Sequence, residues 1–400
     1  MEGYNHQKVK KSNRNLILKL IVTNESISRV ELSELSGLTK MTVSNIVSEL
    51  IAQNVVVENK SDGDETKTTS GRKPSMLDVS DEAPCVVGMY LSRKYCYTLL
   101  TDMKADILYS GKTRLSDYET PESLVLKFLQ AFFYIHEHYD RKILGIGITS
   151  VGPVDIAKKI LLNPLNQPNL NNLAIGDMVH RATELPVFVD NDAKASALAE
   201  NIFGNGRGYN NFIYVGITNT ISMGAVSNGE LLERNSGVYG QIGHTCINFN
   251  GPKCECGSNG CLELYAGIDR IVDKARFLIR NRKESALWGT RIHWIDLVEA
   301  AMAQDRFALE IVDEFCEYIT IALVNLVNIM DCDAIIIGHE AAIANSLITD
   351  ILQERVNERC FRSQYKKVAV LTSEFMDKAP LIGAASLSID KIFTGELALY

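Results

Sequence analysis

The chain contains no run approaching the ~20 consecutive apolar residues needed to span a bilayer, which argues against a helical membrane protein. It also lacks a convincing secretory leader. Basic residues precede LILKLIV, but that run is short, is broken by Lys19 and is followed by no small-residue cleavage site. No low-complexity tract interrupts a composition that is 46% hydrophobic and 22% charged, as in ordinary soluble proteins. A paired cysteine framework is missing as well. Nine cysteines, three of them crowded together, suit a reducing cytoplasm better than a disulfide scaffold.

Four hundred residues exceed one ordinary core, so two or three compact units are expected. The net charge of −8 hides an asymmetry: residues 1–80 carry 11 Lys/Arg against 10 Asp/Glu, and the remainder carries 30 against 39. At the start, Lys8, Lys10, Lys11, Arg14 and Lys19 face Glu2 alone. A basic start on an acidic protein fits contact with a polyanion, or simply a solvated helix end.

Residues 1–80 read as a DNA-binding module. Leu16/Leu20 and Ile17/Ile21 have i,i+4 spacing and predict a first helix. SRVE at Ser28 reads as a capping box for a second helix, which buries Leu32 and Leu35 and stops at Gly37. Thr39 caps a third, whose stripe is Val43, Ile46, Val47, Leu50 and Ile51. Met41, Ser44, Asn45 and Ser48 face the other way, with Thr42 on the flank and Lys40 in the first turn. Short hydroxyl and amide side chains at a helix N-terminus suit a major groove, where they reach base edges and phosphate. VVVE and SMLDV then predict two strands around a polar insert, a wing with Arg72 and Lys73 at its end, placed for phosphate or a minor groove. The alternative is a three-helix docking or oligomerisation module. The stretch LSELSGLTKMTVSNIVSEL resembles the helix-turn-helix of bacterial repressors.

Beyond residue 80 strands and helices alternate, predicting an α/β chain with two mixed-sheet lobes. Asn191 and Asp192 end a strand just before a helix, a position fit either for neighbouring sugar hydroxyls or for an N-cap in which Asp192 satisfies the first N–H groups. In GQIGHTCINFNGPKCECGSNGCLE, His244, Cys254, Cys256 and Cys261 are spaced by ten, two and five residues. Three thiolates and one imidazole match a closed tetrahedral structural zinc site; a redox pair or buried thiols are the rival readings.

VGPVD, NDAKASALAE, GQIGH and CECGSNGCLE, in that order, resemble the ROK family of repressors, open reading frames and sugar kinases. The likeness covers essentially the whole chain and is greatest to the family's repressor branch, xylose-type repressors in particular. It implies a winged helix-turn-helix at 1–80 and a two-lobed, actin-like ATPase fold at 81–400. The small lobe would be 81–190 with the C-terminal helix, and the large lobe 191–380 with the zinc loop. Sugar contacts would fall on Asn191, Asp192, Gln241, His244 and Glu263, with Asn169 a secondary candidate. His244 would use one ring nitrogen for zinc and the other for sugar.

The phosphate-binding parts of the family's kinases are altered. Tyr90 stands for an Asp, and Ser92 and Arg93 for glycines. In the second loop, TNTISMG, Thr218, Thr220 and Ser222 occupy glycine positions. Gly338-His339 departs from a paired glycine near the adenine site, Gln241 stands for Glu, and Lys194 for an Asn. Phosphoryl transfer depends on positioning and charge, so losing both cradles removes most of it. The resulting expectation is a non-catalytic, homodimeric repressor that binds a palindromic operator and is controlled by a sugar through lobe closure. Two rivals are an active ATP-dependent sugar kinase with a DNA-binding arm, and sequestration by a sugar-transport protein or phosphocarrier docked on the zinc loop.

Overall fold

The computed structural model describes residues 6–59, 75–163, 168–232, 238–344 and 346–399. The chain divides into two compact units: Met1–Ile148, Lys158–Val189 and Ala384–Tyr400 form one, Thr149–Ala157 and Asp190–Gly383 the other. No helix among the described residues is long and apolar enough to cross a membrane.

The first unit begins with α1 (His6–Val22), strand β1 (Ile27–Ser28), α2 (Arg29–Ser36) and α3 (Lys40–Ala52), then strands β2 (Val56–Asn59) and β3 (Met76–Val79). These strands form an antiparallel sheet in the order β1-β3-β2. Each local signal has a physical counterpart. Glu31 accepts from the Ser28 amide at 2.8 Å while the Ser28 hydroxyl accepts from the Glu31 amide at 3.3 Å, a reciprocal capping box. Gly37 turns the chain at φ +68°, where a Cβ would be disfavoured, and the Thr39 hydroxyl accepts from the Thr42 amide. Val43, Ile46, Val47 and Leu50 are buried, with Ile51 half-buried.

One apolar assignment fails. Leu35 is 63% exposed, because the inward stripe of this short helix runs through Ser28, Leu32 and Ser36, about 60° away. In α1 the core takes Ile17, Leu18 and Ile21, while Leu16 faces solvent.

The rest of the first unit is a five-stranded mixed sheet built on β4 (Cys85–Leu91), β5 (Tyr95–Thr101), β6 (Ile107–Arg114), β7 (Ile143–Ser150) and β10 (Val187–Asn191), ordered β10-β7-β4-β5-β6. Helices α4 (Pro121–His138) and α5 (Ile175–Thr183) accompany it. Two short strands follow β7: β8 (Val154–Asp155), which belongs to the second unit, and β9 (Ile160–Leu161), which belongs to the first.

The second unit holds β11 (Phe212–Ile217), β12 (Ile221–Ser227), β13 (Glu230–Leu231), β14 (Ala334–Gly338) and β15 (Ala369–Thr372), ordered β13-β12-β11-β14-β15. β11, β14 and β15 run parallel, and β12 is antiparallel to β11. The helices are α6 (Asp192–Ile202), α7 (Glu263–Ala266), α8 (Ile268–Leu278), α9 (Trp294–Met302), α10 (Arg306–Met330) and α11 (Ser346–Arg359), with α12 (Ala379–Thr394) beginning in this unit. Ten of the eleven residues of α6 are buried, which its alanines make possible. A Cβ on Gly224 of β12 would lie 2.7 Å from the Ala193 carbonyl oxygen, and one on Gly383 of α12 would lie 2.6 Å from the Ala195 carbonyl carbon. α6 is therefore wedged by backbone-to-backbone contact, which leaves the direction of its N-terminus little freedom.

Candidate functional site

On α3, Lys40, Met41, Asn45 and Ser48 are exposed, with Thr42 and Ser44 half-buried, so the predicted polar face is presented to solvent. Ser44 is already engaged: the Arg29 guanidinium donates to its hydroxyl at 3.2 Å and its carbonyl at 3.3 Å, and pairs with both Glu58 carboxylate oxygens at 3.1 and 3.2 Å. Arg29 thus ties α2, α3 and β2 together, a role that helical periodicity does not reveal. Lys10 of α1 pairs with Glu49 of α3 at 2.6 Å. Arg72 and Lys73 lie outside the described residues.

The second cluster gathers around β12. At its α6 side, the Asn191 Oδ1 accepts from the Ala193 and Lys194 amides at 3.0 and 3.3 Å, while its Nδ2 donates to the Gly152 carbonyl at 3.3 Å. Asn191, rather than Asp192, is therefore the N-cap. Asp192 is buried; one oxygen accepts from the Ala193 amide at 2.8 Å and the other lies 3.4 Å from His339 Nε2. Lys194, which had no assigned role, pairs with Asp190 at 3.0 Å, both side chains 7% exposed. Its charge is thereby neutralised within the protein.

Elsewhere on β12, the Met223 amide donates to the Gly240 carbonyl at 2.8 Å, next to Gln241. Glu263 accepts from the Ile221 amide at 3.2 Å, and a Cβ on Gly243 would lie 2.8 Å from the same carboxylate oxygen. One strand thus neighbours the segments carrying Asn191, Asp192, Gln241, His244 and Glu263. Asn169 sits apart from these in sequence and unit, exposed in a short turn of the first unit.

The altered second loop is closed on itself. The Thr218 amide donates to the Thr220 carbonyl at 3.0 Å, and the Thr220 amide to the Thr218 hydroxyl at 3.1 Å. Asn219 receives the Asp269 amide at 2.7 Å and donates to the Asp269 carboxylate. With Ile221 bound to Glu263, the amides of Thr218, Thr220 and Ile221 all have protein partners. A phosphate cradle needs such amides converging on the ligand. In the first loop, the Ser92 hydroxyl and amide both bond Tyr95, and Tyr90 stacks on Tyr97 at 5.7 Å.

Further along α6, Glu200 is fully buried, its carboxylate accepting from the Ser373 hydroxyl at 2.6 Å and the Asn205 amide at 2.8 Å. Burial outweighs these bonds and pushes its pKa up to about 7. A carboxyl raised in the folded state favours folding at low pH, and this contribution is lost as pH rises from about 4.5 through about 7. The Glu200→Gln variant lacks this titration. Its stability relative to the unaltered protein is expected to rise by up to about 3 kcal/mol between pH 5 and pH 8, read from urea midpoints.

His244, Cys254, Cys256 and Cys261 bring one donor atom each to a cluster in which all lie within 4.8 Å of one another. His244 Nδ1 is 3.6 Å from the Cys254 sulfur, and the Cys256 and Cys261 sulfurs are 3.6 Å apart. A disulfide would need about 2.05 Å. The edges of a tetrahedron with zinc–donor bonds of about 2.0–2.3 Å are about 3.3–3.8 Å, so the four residues fit a structural zinc ion. The loop is wound to allow this. Gly260 has φ +62°, and a Cβ there would overlap the Asn248 carbonyl oxygen at 1.7 Å. Backbone bonds from Cys254 to Ser258 and from Gly257 to Cys254 close the tight turn between the ligands. Cys246 is exposed and outside the cluster.

A sequence model described as the ROK family matches residues 86–391. The chain belongs to the ROK family. In this ROK protein, residues 12–57 also match a winged helix-turn-helix DNA-binding model. It is similar to a xylose repressor of Bacillus spizizenii, 30% identical over 384 residues that cover 96% of each chain. A crystal structure of a ROK family transcriptional regulator, a homologue of the E. coli MLC protein, superposes with a TM-score of 0.80 at 27% identity, covering 97% of each chain. A glucokinase of Thermotoga maritima is 29% identical over 279 residues, 68% of this chain and 86% of that protein. Likeness to these regulators therefore extends through the N-terminal module, whereas the kinase match is partial.

Proposed function

We propose that this ROK protein is a transcriptional repressor of carbohydrate-utilisation genes whose hold on a palindromic operator is set by a bound sugar, without phosphoryl transfer. Two copies, each presenting α3, would read half-sites about 34–36 Å apart. Asn191, Asp192, Gln241, His244 and Glu263 would meet sugar hydroxyls, Asp192 serving as a hydrogen-bond acceptor. His244 offers Nδ1 to zinc and leaves Nε2 for the ligand.

The observation that carries this reading is the second loop: its amides at Thr218, Thr220 and Ile221 are bonded to the protein itself, while the carboxylate and amide side chains around β12 are kept. Full-length likeness to repressors supports the same conclusion.

The test begins with DNA selected by the protein from a random library, followed by mobility-shift titration with D-xylose and D-glucose. A coupling of ~1–3 kcal/mol predicts that the effective sugar changes operator affinity about 5–150-fold. Unchanged affinity with every sugar of a pentose and hexose panel would remove the effector role. Sugar-dependent release of ADP from ATP would instead establish the kinase reading.

A further inference from the structure

Asp192 does not stand alone. Behind it lies a buried chain of side chains, Tyr214 to His339 to Asp192, drawn from β11, from the residue after β14 and from α6. The Tyr214 hydroxyl is 2.8 Å from His339 Nδ1, and His339 Nε2 is 3.4 Å from the Asp192 Oδ2. Tyr214 is fully buried, and the His339 and Asp192 side chains are 4% and 3% exposed.

Two glycines make the room. Gly216 and Gly338 are register partners on β11 and β14. A Cβ on Gly216 would lie 2.7–3.0 Å from three atoms of the His339 ring, and one on Gly338 would lie 1.8 Å from the Tyr214 oxygen. His339 itself holds φ +62°, a conformation that costs a non-glycine residue free energy and persists only where surrounding structure enforces it. Paired bare strand ends, a strained backbone and a dry location together describe a built position.

The chemistry fixes the direction of the bonds. An ionised carboxylate only accepts, so Nε2 must carry the hydrogen that faces Asp192. In a neutral imidazole Nδ1 is then the acceptor, and the Tyr214 hydroxyl donates to it. Burial raises the Tyr214 pKa well above its ordinary value, so the phenol keeps its proton. The 3.4 Å contact is at the long end for such a bond.

We propose that His339, oriented by Tyr214, is the positioning residue that aims Asp192 at one sugar hydroxyl, so that this pair sets which hydroxyl the protein requires. His339 touches Asp192 and acts on the sugar only through it. The inference rests on Asp192 being a sugar ligand, as proposed above.

The test uses the full-length, zinc-loaded protein and calorimetric titration with D-xylose and D-glucose, then with the monodeoxy derivatives of whichever binds. His339→Gly is the first variant; glycine is at ease at φ +62°, so the fold is retained, as a thermal melt will show. We expect His339→Gly to weaken the parent sugar at least about tenfold and Tyr214→Phe about threefold, the loss of hydrogen-bonded positioning. His339→Asn, which tolerates a positive φ and keeps a donor, should recover part of the loss. One deoxy sugar, lacking the hydroxyl that meets Asp192, should bind the unaltered protein and His339→Gly equally. Equal losses for every deoxy sugar would mean a merely structural histidine and overturn the proposal, as would unchanged binding in His339→Gly. If the unaltered protein binds no sugar of the pentose and hexose panel, the sugar reading itself falls and takes this inference with it.

Discussion

The Cys261→Ser protein is expected to purify with less than about a tenth of an equivalent of zinc, against one equivalent for the unaltered chain. Structural zinc contributes an apparent ~10–16 kcal/mol at neutral pH, as much as the whole stability of an ordinary domain. The loop has little else to hold it: Phe249 is 81% exposed, and Cys254, Cys261 and Leu262 are its buried apolar contribution. Lys253 is exposed between the ligands, so trypsin should cut there in the variant far faster than in the metal-loaded protein. Glu263 stands at the end of the loop, so its collapse releases that carboxylate from the Ile221 amide of β12. Sugar-dependent control should vanish while DNA binding through α3 survives. A variant that keeps its zinc, measured by elemental analysis, or resists trypsin would contradict a Cys3His site.

The second large effect concerns α3. Asn45→Ala is expected to weaken selected operator DNA by about 1–3 kcal/mol per half-site, hence roughly thirtyfold or more for a dimer, with no change in the unfolding midpoint. Asn45 is exposed, so its truncation leaves the buried stripe of α3 intact. Lys40→Ala should weaken all DNA alike and flatten the dependence on salt. Ser44→Ala is expected to cost less in base recognition, because that hydroxyl already holds Arg29. Fluorescence anisotropy at two salt concentrations separates these outcomes; an Asn45→Ala protein that binds its operator normally would remove α3 from the groove.

Features written in short-range spacing were readable before any coordinates. The capping box at Ser28 and Glu31, the turn at Gly37, the cap at Thr39 and the zinc ligands all involve residues close in sequence, where spacing dictates geometry. Leu35 shows the limit of that logic: in a helix of eight residues, two apolar side chains three apart need not share the buried face. The sequence puts the cap at Asp192, whereas the start of α6 puts it one residue earlier, at Asn191. His339 read as a departure from a paired glycine. Its partner Asp192 lies 147 residues away, and no local period encodes such a pairing. Arg29 escaped notice for the same reason, since Ser44 and Glu58 are distant in sequence.

The closed second loop also bears on what would be needed to free its amides for a phosphate. Placing glycine at position 218 would free one amide, that of Thr220, from its hydroxyl. The Ile221 amide would remain with Glu263, and Asn219 would still be fastened to Asp269 at the start of α8. One tie runs within the loop and the others reach Glu263 and Asp269, so no single substitution releases them all. The loop thus works as a latch with several catches: undoing one leaves the others fastened.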